Sequence, residues 1–226
     1  MSDDAALPVD PPRPARSPTQ RVSATKLVIL DRDGTINHDR DDYVTSADEW
    51  VPLPGALEAV ARLNHAGWHA VIATNQSGLG RGLFDMAALN AMHLKLNQML
   101  ADEGGRLDAI FFCPHAPADG CTCRKPKPGL LLEIGARYAV DLRHVPMVGD
   151  SLRDLQAAAA AGCEPHLVRT GKAERLDEAE LAAWQGEIPN LVVHADLSAC
   201  VDWLIRRDRA ARGLDEGADT GPGSLS

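Results

Sequence analysis

Asp31 and Asp33 flank Arg32 in the run Asp31-Arg-Asp-Gly-Thr-Ile-Asn37, directly after the apolar stretch Lys26–Leu30. Two carboxylates leaving a buried strand together, with Gly34 letting the chain turn back, suit a hard cation such as Mg²⁺, which takes oxygen ligands and keeps several waters. A bare Asp-x-Asp is equally an acidic turn that caps a helix or solvates a loop. A second acidic run, Val148-Gly-Asp-Ser-Leu-Arg-Asp154, also follows an apolar stretch. There Asp150 stands at the strand end and Asp154 one helical turn later. If the two strands are parallel neighbours, Asp150 and Asp31 converge on one ion. The plainer alternative is that Asp150 or Ser151 caps the next helix, a role worth about 1 kcal/mol.

Two further segments carry groups that suit an oxyanion. Thr74-Asn-Gln-Ser-Gly78 combines a hydroxyl, amides and a glycine, a good cradle for phosphate oxygens but also a common turn composition. In Arg124-Lys125-Pro-Lys-Pro-Gly129 two prolines stiffen the chain, so Lys125 is held at a fixed distance from whatever it faces. By itself that segment reads as a solvated basic turn. Just before it, Cys113, His115, Cys121 and Cys123 offer three sulfurs and an imidazole within one Pro/Gly-containing loop. That set fits tetrahedral Zn²⁺ with no open position, a structural rather than catalytic ion. Cys163 and Cys200, lone cysteines in apolar surroundings, read as core residues.

The elements that must hold these groups alternate. Lys26–Leu30, Trp68–Ala73, Leu107–Phe112, Val145–Val148, His166–Val168 and Leu191–Val193 read as strands. Pro54–Leu63, with Leu57, Val60 and Leu63 on one face and Gly67 after it, reads as a helix. So do Met86–Leu100, Pro128–Tyr138, Arg153–Ala161 and Asp196–Ile205. The alternation predicts an α/β, Rossmann-like domain with a mainly parallel sheet and helices on both faces. Ligands of such folds bind beyond the carboxyl ends of the strands, where all four segments fall.

The 226 residues, with 45 % hydrophobic and 24 % charged, describe a globular chain long enough for one real core. No apolar run approaches the roughly 20 residues of a membrane helix, and no membrane partner is expected. With 23 Lys+Arg against 32 Asp+Glu, the net charge of −9 argues against a nucleic-acid partner. Five cysteines and a polar N-terminus without a secretory apolar segment point to the cytoplasm, not to a disulfide framework. The Pro-rich residues 1–25 are expected to form a disordered leader, 26–209 the domain, and the Gly/Asp/Ser-rich 210–226 a disordered tail.

In chain order, Asp31–Asn37, Thr74–Gly78, Arg124–Gly129 and Val148–Asp154, each after a strand or before a helix, resemble the haloacid-dehalogenase (HAD) superfamily of phosphohydrolases over Leu30–Asp154. The resemblance implies Asp31 as nucleophile, forming an aspartyl-phosphate. It implies Asp33 as general acid and then base, and Thr74 and Lys125 as ligands of the phosphoryl oxygens. It implies catalytic Mg²⁺ on the Asp31 carboxylate, the Asp33 carbonyl and Asp150, with Asp154 orienting Lys125 or a metal-bound water. The cysteine loop, together with Tyr43-Val44 and Thr74-Asn-Gln-Ser-Gly-Leu-Gly-Arg-Gly82, narrows the likeness. It is similar to D-glycero-D-manno-heptose 1,7-bisphosphate 7-phosphatases and, beside them, histidinol-phosphate phosphatases. That family likeness implies Asn75, Gln76, Arg81 and Arg124 as substrate ligands, a small-molecule sugar bisphosphate as partner, structural Zn²⁺, no large cap domain and a monomer. The activity would feed lipopolysaccharide or other glycoconjugate synthesis.

Ser151 stands where some relatives have Lys, which leaves the anomer of the heptose open. A histidinol phosphatase would instead use Asp39, Asp41 and Asp42 near the mouth for a cationic amine. A non-enzymatic zinc-loop module would present Arg124, Lys125 and Lys127 as a basic docking surface, against the sign of the net charge.

Overall fold

The computed structural model describes residues 25–213. The expected leader, apart from Thr25, and the expected tail from 214 onward lie outside the described residues. Six parallel strands form one sheet in the order β3-β2-β1-β4-β5-β6. They are β1 (Leu27–Leu30), β2 (His69–Asn75), β3 (Ala109–Cys113), β4 (Pro146–Gly149), β5 (Glu164–Val168) and β6 (Val192–His194). β1 is a run of four apolar residues, all buried, as expected for a central strand covered on both faces.

Alternation along the central strands sorts the core into two layers. Val28, Leu30, Ala70, Ile72 and Val148 point to one face. There they meet α1 (Ala56–His65), α3 (Met86–Asp102) and α7 (Leu197–Ala211) through Leu63, Leu96 and Leu204. Leu27, Ile29, Val71, Ala73 and Met147 point to the other face, toward α4 (Gly129–Tyr138) and α5 (Leu152–Ala161). Each is buried because the side-chain period of a strand is two and both faces are covered.

The expected strands and long helices are all present with ends shifted by a few residues, and α7 continues to Ala211, past the expected domain boundary. Two helices were not expected. The short α2 (Ser77–Gly80) follows β2 directly, and α6 (Glu178–Glu187) buries only Leu181, so it carries no apolar stripe to read. Its readable signal is at its start: Asp177 accepts from the Glu180 amide at 2.8 Å, and Glu180 accepts from the Asp177 amide at 3.1 Å.

Between β1 and α1, residues 31–55 hold no helix or regular strand. This loop is anchored by the buried Trp50 and by Lys95 of α3, whose Nζ donates to the carbonyls of Ala47 at 2.7 Å and Trp50 at 2.8 Å. Among the described residues no helix is long and apolar enough to cross a membrane.

The chain order reverses between β1 and β4: β2 and β3 lie to one side, β5 and β6 to the other. The connections therefore diverge there and leave a crevice beyond the carboxyl ends of these two strands.

Candidate active site

The crevice is a cavity of about 240 Å³. Asp31 is the first residue after β1, and its amide donates to the Val148 carbonyl of β4 at 2.8 Å. The Leu30–Val148 register then puts Asp31 and Asp150 at neighbouring strand ends. Lys125 enters from the loop before α4 and is 1 % exposed. Its Nζ lies 2.8 Å from Asp31 Oδ1 and 2.6 Å from Asp154 Oδ1, and it donates to the Ala73 carbonyl at 2.7 Å. Asp154 in turn accepts through Oδ2 from the Ser151 amide at 3.1 Å and the Ser151 hydroxyl at 2.6 Å. One carboxylate thus caps the start of α5 and holds the lysine.

Asn75 lines the cavity, and it also clamps the lysine's backbone. Its amide donates to the Lys125 carbonyl at 3.0 Å and its Oδ1 accepts from the Lys125 amide at 3.1 Å. Gln76 donates through Nε2 to Asp33 Oδ2 and to Thr74 Oγ1, both at 2.9 Å, and so joins the second carboxylate to the Thr74 hydroxyl.

Asp33 is held by groups that sequence reasoning did not single out. Arg32, 1 % exposed, donates from Nε and Nη2 to Asp33 Oδ1 at 3.0 and 2.8 Å, and from Nη2 to Oδ2 at 2.9 Å. Asn37 adds a donor to Oδ1 at 2.9 Å. Burial works to raise the Asp33 pKa, but the Arg32 charge and the hydrogen bonds from Asn37, Arg32 and Gln76 outweigh it and hold the carboxyl below its ordinary value.

Asp150 is wedged between two glycines. A Cβ on Gly34, whose φ is +83°, would stand 2.1 Å from Asp150 Oδ2; one on Gly171, at +53°, would stand 2.2 Å away. Only residues without a side chain let the β1 loop and the loop after β5 close around this carboxylate. The Lys172 amide then donates to Asp150 Oδ2 at 2.7 Å. No motif marks Gly171 or Lys172; their place after β5, at the carboxyl edge of the sheet, is the available signal.

Asp31, Asp150 and Asp154 are all buried and offer oxygens within 4.8 Å of one another. Burial, then the charge of Asp154, push Asp31 up to about 7 against the pull of Lys125. Burial, then Asp154 and Asp31, push Asp150 up to about 8. Burial works against the charge of Lys125, yet Asp154 and Asp31 prevail and hold it above its ordinary value. Crowded hard oxygens with one ammonium among them form a donor set that fits Mg²⁺.

Arg124 and Lys125 line the cavity, but Arg81 does not. Its guanidinium sits 5.9 Å from the ring centroid of Tyr43, which does, so Arg81 reaches the rim through that ring.

The cysteine loop lies beside this cavity. Cys113, His115, Cys121 and Cys123 offer ligand atoms within 4.8 Å of one another. Sγ of Cys113 is 3.6 Å from Sγ of Cys121 and 3.3 Å from that of Cys123, and His115 Nδ1 is 3.3 Å from Cys123 Sγ. A tetrahedral ion with Zn–S bonds of about 2.3 Å has sulfur–sulfur edges of about 3.8 Å, so the set fits Zn²⁺ with little movement. The loop is tied to the site: the Gln76 amide donates to the Cys113 carbonyl at 2.8 Å, and the Gly129 amide to that of Thr122 at 3.2 Å.

A HAD-hydrolase-like family model matches residues 122–198. D-glycero-beta-D-manno-heptose-1,7-bisphosphate 7-phosphatase of Bordetella bronchiseptica is 57 % identical over 182 residues, covering 80 % of this chain and 98 % of that one. The Pseudomonas putida protein of the same name is 48 % identical over 180 residues, covering 80 % and 99 %. The crystal structure of D,D-heptose 1,7-bisphosphate phosphatase from B. bronchiseptica complexed with magnesium and phosphate matches with a TM-score of 0.76 at 56 % identity, covering 81 % and 99 %. The enzyme of Burkholderia thailandensis matches with a TM-score of 0.61 at 52 % identity, covering 80 % and 99 %. Fold and site together define a HAD-like hydrolase. Within that class the chain belongs to the D-glycero-D-manno-heptose 1,7-bisphosphate 7-phosphatase family.

The raised carboxylates give a sign to the pH dependence. Asp31 and Asp150 hold protons in the folded state between the ordinary value of 3.8 and about 7 and 8, where the unfolded chain has released them. Their contribution to the stability of the metal-free protein therefore falls as pH rises through that window. Asp33, held low, has the opposite sign, but its contribution is complete above 3.8 and does not vary across it. A divalent cation held by Asp31 and Asp150 would compete with the same protons, so the rise in Tm on adding Mg²⁺ should be larger at about pH 8 than at about pH 6. Thermal unfolding with and without Mg²⁺ checks this; a shift that does not grow with pH would contradict it.

Proposed function

We propose that this chain hydrolyses the 7-phosphate of D-glycero-β-D-manno-heptose 1,7-bisphosphate with Mg²⁺ and serves ADP- or GDP-heptose synthesis. The observation that carries the reading is the convergence of Asp31, Asp33, Thr74, Lys125 and Asp150 on one crevice in a chain 57 % identical to a relative of that name. The β anomer rests on the relatives' names.

In this reading Asp31 attacks phosphorus and becomes an aspartyl-phosphate, dividing one difficult displacement into two easier ones. Lys125 and Thr74 meet the equatorial oxygens, where charge must be matched in each transition state. Asp33 protonates the departing C7 oxygen and then takes a proton from the attacking water. As an ionised carboxylate held by Arg32, Gln76 and Asn37 it is poised for the second role, and it needs a proton for the first. Asp31, the Asp33 carbonyl and Asp150 would hold Mg²⁺. When bound, the ion offsets repulsion between the carboxylate nucleophile and the phosphate dianion. Asn75, Gln76 and Arg124 contact the rest of the substrate, with Arg81 and Tyr43 at the rim.

Of the three carboxylates near the mouth, Asp39 pairs with Lys172 and Asp42 with Arg40, which leaves Asp41 alone to meet a cationic amine. This reading takes the enzyme to be cytoplasmic and a monomer.

Phosphate release should be fast with the β-anomer bisphosphate in Mg²⁺, slower with the α anomer and negligible with histidinol phosphate. It should fall by about 10³-fold or more in Asp31→Asn. Preference for histidinol phosphate would overturn the substrate assignment.

The cysteine cluster in this reading holds structural Zn²⁺ and steadies the segment carrying Arg124 and Lys125. A Cys121→Ser, Cys123→Ser protein, shown by metal analysis to lack zinc, should have a raised KM for the bisphosphate. Unchanged kinetics in that zinc-free protein would contradict the role.

A further inference from the structure

We propose that Arg153 is the second arm of a guanidinium pair, with Arg124, that binds the distal phosphate of the substrate and sets the preference for a bisphosphate over a monophosphate. The proposal rests on the reading above. Arg153 lies in the first turn of α5, three residues beyond Asp150. It lines the catalytic cavity and also an adjoining cavity of about 300 Å³, whose walls include Cys121, Arg124, Lys125 and Lys127. Arg124 and Arg153 are the two arginines common to both cavities, so they stand where a ligand leaving the crevice toward the zinc loop must pass.

Neither is neutralised. Among the described residues no carboxylate pairs with Arg124 or Arg153, whereas Lys125, Lys172 and Arg40 all have acidic partners. Arg124 makes one contact, to the His115 carbonyl at 3.4 Å, which faces it toward the loop and leaves most of its donors free. A cation in the first turn of a helix is also set against the helix dipole, so Arg153 gains nothing in stability from its position. The same field favours an anion there, and the exposed guanidinium adds to it. The proximal phosphate already has Lys125 and Thr74. Two unpaired guanidinium groups further out suit a second phosphate, to which each presents a planar fork of donors. Ser151, short and turned back onto Asp154 at 2.6 Å, leaves this approach clear.

The test compares heptose 1,7-bisphosphate with the heptose 7-phosphate that lacks the distal group, in the wild-type chain, Arg153→Ala and Arg153→Lys. In Arg153→Ala the ratio of kcat/KM for bisphosphate to monophosphate should fall about tenfold, mainly through KM, and Arg153→Lys should keep part of it. A ratio retained in Arg153→Ala, or an equal loss on both substrates, would overturn the inference while leaving the proposed function standing. A wild-type chain with no preference for the bisphosphate would overturn the proposed function, and this inference with it.

Discussion

A single ammonium group, Lys125 Nζ, joins the parts of this site. Removing a cation from water costs several kcal/mol unless partners surround it, and here Asp31, Asp154 and the Ala73 carbonyl do so. Each partner comes from a different element. Asp31 follows β1, Ala73 belongs to β2, and Asp154 belongs to α5 after β4. The ion cluster therefore forms only when the central strands are in register and α5 starts where Ser151 and Asp154 cap it. Fold and site are specified by the same contacts.

The cluster also imposes a constraint. Asp31, Asp150 and Asp154 bring more negative charge into the crevice than one lysine offsets, and burial with mutual repulsion raises Asp31 and Asp150. A divalent cation relieves that repulsion, and so does a proton. The glycines at 34 and 171 keep Asp150 close despite the repulsion, because any side chain there would displace it. The site is compact at the expense of metal-free stability, as expected where function rather than packing sets the geometry.

Much of this was legible in the residues. Apolar runs followed by acidic or polar motifs marked β1, β2 and β4 and the crevice between them, since buried parallel strands read as continuous hydrophobic stretches. The cysteine spacing marked the loop beside Lys125. What remained hidden has physical reasons. Arg32 stands between two aspartates with nothing to single it out, yet it is buried against Asp33, a carboxylate that Asn37 and Gln76 reach only in the folded loop. Asn75 reads as a cavity liner, and its clamp on Lys125 depends on a contact fifty residues away. Gly171 and Lys172 carry no motif, and α6 has almost no buried face to create a period.

Asp31, poised between Lys125 and the other carboxylates, is the group proposed to carry the phosphoryl during turnover. Rapid acid quench of the Mg²⁺-loaded protein with substrate, followed by peptide mass spectrometry, tests it directly. The account predicts one added phosphoryl group on the peptide containing Asp31, located at Asp31 and absent from Asp31→Asn. Phosphorylation at any other residue, or single-turnover phosphate release with no phosphorylated peptide at any quench time, would contradict it.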